Sequence, residues 1–288
     1  MPPPKLLLTA PLHRISRRVR VAGGDEGPWR ATTVETELGA EVLEVASAAT
    51  RLGAEVTAVV AAEPSVAADL RSALEGLGAS VELIEVGSAS LAHTRYVDAD
   101  DAVRFEVMEG APPSTDEVDR LLDRLGRRLE DEPDFAVVAG DLEGGPRRDF
   151  AERVVGRAWG LGVRTILVPN GASLKQAFHT QPFAARVDAD ELLAVSPPDE
   201  GVEETQEETL ARIFLDPVRL LYVRRGDGMV LAAARAGTRE LGRPEAWRPA
   251  ALLGAFAALA ARCGDDYLAA GVEAFEAVSR SDAAQPAS

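Results

Sequence analysis

The chain has a single cysteine and three histidines among its 288 residues. One cysteine, Cys263, excludes an intramolecular disulfide, and His13, His93 and His179 show no spacing typical of metal ligands. Positive charge is also scarce, because 47 acidic residues against 31 basic ones give a net charge of −16. Since phosphate backbones attract net basic surfaces, this balance argues against a nucleic-acid partner.

Long apolar runs are missing as well. The apolar run within the first twelve residues is too short for a signal peptide or a membrane span, and no other segment reaches spanning length without charges. The sequence therefore predicts a cytoplasmic protein with no membrane partner. A hydrophobic content of 46% is enough for a sizeable core, and the length suits one large α/β unit.

Short β-rich runs alternate with helical patterns, as in a parallel sheet with crossover helices. Strands are predicted at residues 5–9, 55–61, 81–86, 134–139, 165–168, 191–195, 219–224 and 229–234. Helices are predicted at residues 35–52, 66–77, 114–129, 147–159, 172–178, 201–212, 249–262 and 267–278. Ser114 and Glu117 form a capping box at the start of one of these helices. A single domain over residues 1–280 and a disordered tail over residues 281–288 follow from this pattern.

Residues 93–108 have a different hydrophobic pattern from the rest of the chain. Apolar and polar residues alternate there around a turn of acidic residues at positions 98–101. This alternation is typical of a hairpin with one wet face rather than of a buried parallel strand. The sequence therefore predicts an antiparallel excursion from the main sheet.

Five phrases, taken in order and spacing, resemble the ribokinase-like (PfkB) carbohydrate kinases. They are RLGAEVTAVV (51–60), HTRYV (93–97), AGDLEGGPRRDF (139–150), DADEL (188–192) and RRGDGMVLA (224–232). The chain is most similar to the branch that phosphorylates 1-phosphofructose or tagatose 6-phosphate, over residues 6–278. The resemblance implies a three-layer α/β/α sandwich with a mainly parallel sheet. It also implies a small antiparallel lid, with strands at about 10–22 and 91–109, that pairs two subunits into a homodimer.

The resemblance also implies where the catalytic base and the anion hole should be. In the family both lie in a Gly-Ala-Gly-Asp turn at a helix amino terminus, where backbone N–H groups and the helix dipole favour a phosphoryl group. Aligned on the following helix, that turn falls on Ala246, Trp247, Arg248 and Pro249. Pro249, at the position of the base, has neither an ionisable group nor an N–H. The base and the glycine cradle are therefore both missing under this alignment.

The residues that the resemblance places around the substrate also differ from those of the family. They are Ser16, Gly39, Glu41, Glu44, Arg95 and Gly140. Glu41 stands for the lysine of the family and Glu44 for its asparagine, while Ser16 is the best substitute for the aspartate that holds a sugar hydroxyl. A carboxylate in place of a lysine repels a sugar phosphate. Arg95 has two readings, a contact to a substrate phosphate or a solvated strand residue.

On the implied nucleotide side, Asp188 replaces an asparagine and Glu191 is kept. Gly226 and Gly228 lie in the turn that borders the nucleotide in the family, although such turns are common in hairpins. No metal site is predicted from the residues themselves. The resemblance implies ATP and Mg²⁺ as cofactors only if kinase activity is retained.

A competing alignment places the base at Asp265, in the Cys-Gly-Asp-Asp phrase at 263–266. Only about one helix would then follow the base, and residues 250–261 would have to form a strand although they favour a helix. We therefore expect Asp265 to cap a closing helix. The leading hypothesis is a catalytically impaired or inactive kinase-like protein with a ligand-binding or regulatory role. The alternatives are an active phosphofructose-type kinase using Asp265 or another carboxylate, and an enzyme for a basic or neutral substrate beside Glu41 and Glu44.

Overall fold

The computed structural model describes residues 2–11, 13–22, 30–38, 40–87, 90–140, 149–168, 171–178, 180–192, 206–213, 218–244 and 248–283. Its strands are β1 (Lys5–Ala10), β2 (His13–Ala22), β3 (Arg30–Leu38), β4 (Glu55–Ala62), β5 (Ser80–Glu85), β6 (Ser90–Val97), β7 (Val103–Gly110), β8 (Phe135–Val138), β9 (Arg164–Leu167), β10 (Ala184–Asp188), β11 (Leu220–Arg224), β12 (Val230–Ala234) and β13 (Gly237–Gly242). The helices are α1 (Ala40–Arg51), α2 (Pro64–Gly76), α3 (Thr115–Leu129), α4 (Phe150–Gly160), α5 (Gly171–Phe178), α6 (Gln206–Ile213), α7 (Pro249–Ala260) and α8 (Tyr267–Ala283).

A nine-stranded sheet forms the centre of the described structure, in the order β13-β12-β11-β10-β9-β8-β1-β4-β5. The seven strands from β11 to β5 in this order are parallel to one another. Strand β12 pairs antiparallel with β11, and β13 pairs antiparallel with β12. Strand β8 is buried along its whole length. That burial fits its continuous apolar sequence, because parallel strands are covered on both faces.

Helices cover both faces of this sheet, because successive strand side chains point to opposite sides. Leu6 and Leu8 of β1 pack in one core with α1, α2, α7 and α8, while Leu7 packs in a second core with α3, α4, α5 and α6. Helix α7 is buried nearly throughout, as its apolar sequence on all sides requires. The predicted three-layer α/β/α sandwich is confirmed.

A second, four-stranded sheet has the order β3-β2-β6-β7. The β2–β3 and β6–β7 pairs are antiparallel, and the central β2–β6 pair is parallel. Its strands leave the main sheet after β1 and after β5. We call this four-stranded sheet the lid.

The structure departs from four local predictions. Residues 35–38 end lid strand β3, and the helix predicted from residue 35 begins at Ala40. A strand was predicted to start at Glu191, which lies in a turn, whereas β10 occupies Ala184–Asp188 and residues 193–195 lie outside the described residues. Strand β13 has no counterpart among the predicted strands. Helix α8 continues to Ala283, so it includes the start of the expected tail.

The capping box of α3 is confirmed. The Ser114 Oγ accepts a hydrogen bond from the Glu117 N–H at 3.4 Å, and the Glu117 Oε2 accepts one from the Ser114 N–H at 2.8 Å. Val118, Leu121 and Leu125 follow at helical spacing and are buried. Cap and apolar stripe together fix where this helix begins and which face it packs. Among the helices of the described residues, none has the length and apolarity that crossing a membrane needs.

Candidate functional site

The carboxyl ends of the parallel strands form the edge where a site is expected. Strand β1 has β4 on one side and β8 on the other, so the chain reverses its winding direction at β1. In open α/β sheets, ligands bind outside the carboxyl ends of the strands at such a switch point. The lid strands, the start of α1 and the start of α7 all join the sheet at this edge, as the element order and strand directions require.

Buried polar atoms without partners mark the same edge. Among the described residues, three buried side-chain oxygens have no hydrogen-bond partner: Thr9 Oγ1, Asp188 Oδ1 and Glu191 Oε2. Thr9 lies next to the end of β1, Asp188 is the last residue of β10, and Glu191 lies in the turn after it. Because buried polar groups are nearly always hydrogen-bonded in proteins, three unpaired oxygens at one sheet edge indicate a ligand-binding region.

The start of α7 lies against α1 because the two helices approach very closely. A Cβ atom added to Gly254 of α7 would lie 2.6 Å from the backbone carbonyl oxygen of Val45 in α1. Only glycine fits at this crossing. The contact holds the amino-terminal part of α1 beside the first turn of α7.

Glu44 of α1 lies at the amino terminus of α7. The Arg248 Nε lies 3.4 Å from the Glu44 Oε1. The Ala251 N–H, in the first turn of α7, favours the ionised carboxylate and acts to lower the pKa of Glu44. Arg248 is the N-cap residue of α7, Pro249 is in its first turn, and the N-cap side chain makes no capping hydrogen bond. The Glu44 carboxylate thus lies at the amino terminus of α7, and a helix amino terminus favours an anion.

Burial sets the protonation behaviour of Glu44. Its side chain is 18% exposed and that of Arg248 is 37% exposed. Loss of hydration raises the pKa of Glu44 above its usual value, and the nearby Glu41 adds to the rise. The Arg248 guanidinium and the Ala251 N–H lower the pKa but do not cancel the effect of burial.

The other substrate-side residues lie at or near this edge, in different settings. Glu41 is in the first turn of α1, and Gly140 follows β8 with a φ of 80°, a left-handed conformation that favours glycine. Ser16 is exposed on lid strand β2. Arg95 is exposed on lid strand β6, and its Nε lies 3.0 Å from the Glu106 Oε1. Gly39 and Trp247 lie outside the described residues, as do residues 141–148 of the glycine-rich phrase.

On the nucleotide side, Asp188 and Glu191 are adjacent, since the Glu191 N–H donates to the Asp188 carbonyl oxygen at 3.0 Å. The buried Arg186 lies 3.3 Å from the Asp188 Oδ2 and also donates to the Val168 carbonyl oxygen. Gly226 and Gly228 lie in the turn between β11 and β12, at the same sheet edge. Gly228 has a φ of 83°, as a tight turn requires.

The Asp188 and Glu191 carboxylates in part fit Mg²⁺, the ion that the resemblance implies. Carboxylate oxygens suit this ion, and the unpartnered oxygens of Asp188 and Glu191 fit a Mg²⁺ that keeps water and phosphate as its other ligands. They do not form a complete site. Among the described residues, no group of three or more His, Cys, Asp or Glu side chains is arranged to hold a metal ion.

Asp265 lies at the opposite edge of the sheet. Helix α7 starts at the carboxyl edge and runs about 18 Å towards the amino ends of the strands, by a rise of about 1.5 Å per residue over its length. The charge of Arg164 agrees with this position at the amino ends of the strands. Arg164 is the first residue of β9, and its guanidinium acts to lower the pKa of both Cys263 and Tyr267. The capping prediction is also wrong by one residue: the Asp266 Oδ1 accepts from the Ala269 N–H at 3.0 Å, whereas Asp265 accepts from the Tyr267 hydroxyl.

Sequence reasoning missed the two arginines that neutralise the site carboxylates, Arg248 and Arg186. Arg248 was noted only as part of a lost motif, and its partner Glu44 is 204 positions away in the chain. Arg186 could have been recognised because it is a lone arginine in an otherwise apolar strand, and a buried cation needs a carboxylate nearby.

No protein-family profile matches the chain, and no curated protein matches its sequence. Solved structures do match. A tetrameric inhibited form of phosphofructokinase-2 from Escherichia coli is 21% identical, with a TM-score of 0.72 over 95% of this chain and 94% of that chain. A possible 1-phosphofructokinase from Thermotoga maritima is 16% identical, with a TM-score of 0.66 over 94% and 89%. A nucleoside kinase from Burkholderia thailandensis in complex with inosine is 17% identical, with a TM-score of 0.62 over 95% and 89%.

These similarities establish the fold. The chain has the ribokinase-like fold of the PfkB kinases over nearly its whole length, as the resemblance implied. At these identities the similarity extends to the fold alone, so the chemistry must be inferred from the residues of this chain.

Proposed function

We propose that the protein is a catalytically impaired member of the PfkB-like kinases that binds ligand at the carboxyl edge of its sheet without transferring phosphate. One observation carries the proposal: the Glu44 carboxylate pairs with Arg248, the N-cap residue of α7, at the amino terminus of that helix. We infer that this carboxylate takes the place that the resemblance gives to the transferring phosphoryl group. A second anion beside it would be repelled.

The missing base points the same way. Transfer to a sugar hydroxyl needs a group that takes the proton and donors that stabilise the phosphoryl charge. Pro249 is in the first turn of α7 and provides neither. Asp265 lies about the length of α7 away, at the other sheet edge. Glu44, the nearest carboxylate described at this terminus, is paired with Arg248.

Ligand binding is supported on the nucleotide side. Asp188 and Glu191 each present a buried carboxylate oxygen without a partner. These two oxygens would help to hold a Mg²⁺ ion, which would supply neutralisation of phosphate charge. The resemblance implies ATP and Mg²⁺ only for a retained kinase activity, but these oxygens lead us to propose that the Mg²⁺ complex of ATP still binds there without phosphate transfer. Binding without transfer suits a regulatory or ligand-sensing role.

We also propose a homodimer formed through the lid. One apolar row crosses all four lid strands in register: Val34, Val19, Tyr96 and Phe105. Tyr96 and Phe105 stack with ring centroids 4.2 Å apart, and Val34 and Phe105 are exposed. An apolar row on an open sheet favours pairing with a second copy.

Calorimetric titration tests the binding part of this proposal. We expect saturable binding of ATP in the presence of Mg²⁺, with no ADP formed when fructose 6-phosphate is added. The double variant Asp188→Ala, Glu191→Ala should weaken binding about tenfold or more, a change of about 1.4 kcal/mol. Asp190→Ala, at the exposed residue between them, is the matched control and should bind as the natural protein does. Absence of nucleotide binding, or equal effects of both variants, contradicts the proposal.

A further inference from the structure

A groove on the helical face of the molecule begins at Glu44 and Arg248 of the carboxyl-edge site and extends from them along α1. It lies between α1, α2, α7 and the carboxyl-terminal part of α8, and its volume is about 740 Å³. This volume falls within the range of about 300–1,000 Å³ that is typical of small-molecule sites. Glu44 and Arg248 line one end, and Arg51 and Ser281 also line it. Along α1 the span from Glu44 to Arg51 is about 10 Å by helix rise.

The walls of the groove are mainly apolar. They include Leu43, Ala48 and Leu52 of α1, Ala255 of α7, Leu77 after α2 and Val278 of α8. Five of the residues that line the groove are alanines, whose small side chains leave room between the helices. Ligand pockets combine such apolar walls with a few placed polar groups that fix the ligand's orientation.

Charge distinguishes the two ends. The Glu44 and Arg248 side chains neutralise each other at one end. At the other end the Arg51 guanidinium donates to the hydroxyl of Ser281. Within the described part of the chain, Arg51 has no carboxylate in salt-bridge range, and its side chain is exposed. A protein with a net charge of −16 thus presents an arginine without an ion-pair partner at the end of an apolar groove.

We propose that this groove binds an apolar carboxylate, an extended hydrocarbon chain with one terminal carboxylate that pairs with Arg51. The hydrocarbon would lie along α1 against the leucine and alanine side chains, and burial of its methylene groups supplies most of the affinity. The guanidinium would bind the carboxylate with two charge-assisted hydrogen bonds. An aliphatic cation would meet Arg51 with like charge and would be excluded. The site does not depend on whether the carboxyl edge transfers phosphate.

Titration with decanoate, monitored by calorimetry and by thermal unfolding, tests the site. We expect saturable binding of one decanoate per chain with a Kd below about 1 mM. Arg51→Gln should weaken decanoate binding about tenfold and leave the binding of decan-1-ol unchanged. Arg280→Gln changes an exposed arginine of the same helix region that does not line the groove, and it should have no effect.

Filling the groove provides the complementary test. Ala48→Phe and, separately, Ala277→Phe place a ring in the groove and should abolish binding of both decanoate and decan-1-ol. Thermal unfolding without ligand shows whether each variant is folded. One folded variant is enough for the binding test. The proposal is overturned if decanoate does not bind, if Arg51→Gln and Arg280→Gln bind it equally, or if a folded phenylalanine variant still binds it.

Discussion

At the residue scale, the site is dominated by Glu44, a half-buried carboxylate that faces both a cation and a helix terminus. Its contacts with Arg248 and Ala251 favour the ionised form, and its burial and Glu41 favour the protonated form. Burial prevails, so the pKa of Glu44 is raised. Ionising the Glu44 side chain therefore lowers the free energy of unfolding, and this loss can be measured as a dependence of stability on pH.

Replacing Glu44 by Gln should reveal that shift. Because the folded-state pKa is raised, the stability from the protonated carboxyl is fully present below the unfolded pKa of about 4.5 and is lost as the pH rises through the folded value. Glutamine imitates the protonated form at every pH. The Tm of the natural protein should therefore fall relative to that of Glu44→Gln between pH 4 and pH 7, as measured by calorimetry. A relative gain for the natural protein over this range would show that the Arg248 pair prevails over burial.

The replacements at the site could be read from the sequence, but their new contacts could not. Glu41, Glu44 and Pro249 stand out once the chain is compared with the motifs it resembles. Nothing local in the sequence says that Glu44 binds the terminus of α7, because that contact joins residues 204 positions apart. The Glu44–Arg248 contact, on which the proposed occupied anion site rests, becomes visible only in the folded structure.

At the scale of elements, the α1–α7 crossing holds the site together. Gly254→Ala would place a Cβ 2.6 Å from the Val45 carbonyl oxygen. Overpacking against backbone should lower the free energy of unfolding by about 1–3 kcal/mol, although alanine is the better helix former. Urea denaturation checks this value.

Gly156→Ala in α4 is the matched control for that prediction. No atom lies within 4 Å of the Cβ position at Gly156, so the same change should raise the free energy of unfolding by up to about 1 kcal/mol. If both variants are stabilised, the two helices do not cross as closely as described.

Most elements could be predicted because their periodicity is strong, and the failures have local causes. Strand β3 has polar and acidic residues and lies in the exposed lid, so its sequence favours a helix continuing into α1. Strand β10 is short and starts with two alanines, and β13 is largely exposed. Edge and lid strands need partners from elsewhere in the chain, and that pairing outweighs their weak local preference.

At the scale of the whole molecule, the lid should hold two copies of the chain together. Phe105→Glu places a charge in the exposed apolar row and should shift sedimentation from dimer to monomer at micromolar concentration. Trp159→Glu changes an exposed aromatic residue of α4, away from the lid, and should leave the dimer intact. A natural protein that sediments as a monomer would contradict the proposed dimer.

Phosphate transfer itself is the most direct test of the central claim. ADP release should be followed by a coupled assay with Mg²⁺, ATP and each of fructose, tagatose and their phosphates. The account predicts no release above the rate without protein, and no change on Asp265→Asn. Turnover of about 1 per second or more, as in working kinases, would contradict the claim that Glu44 and Pro249 have replaced the phosphoryl site.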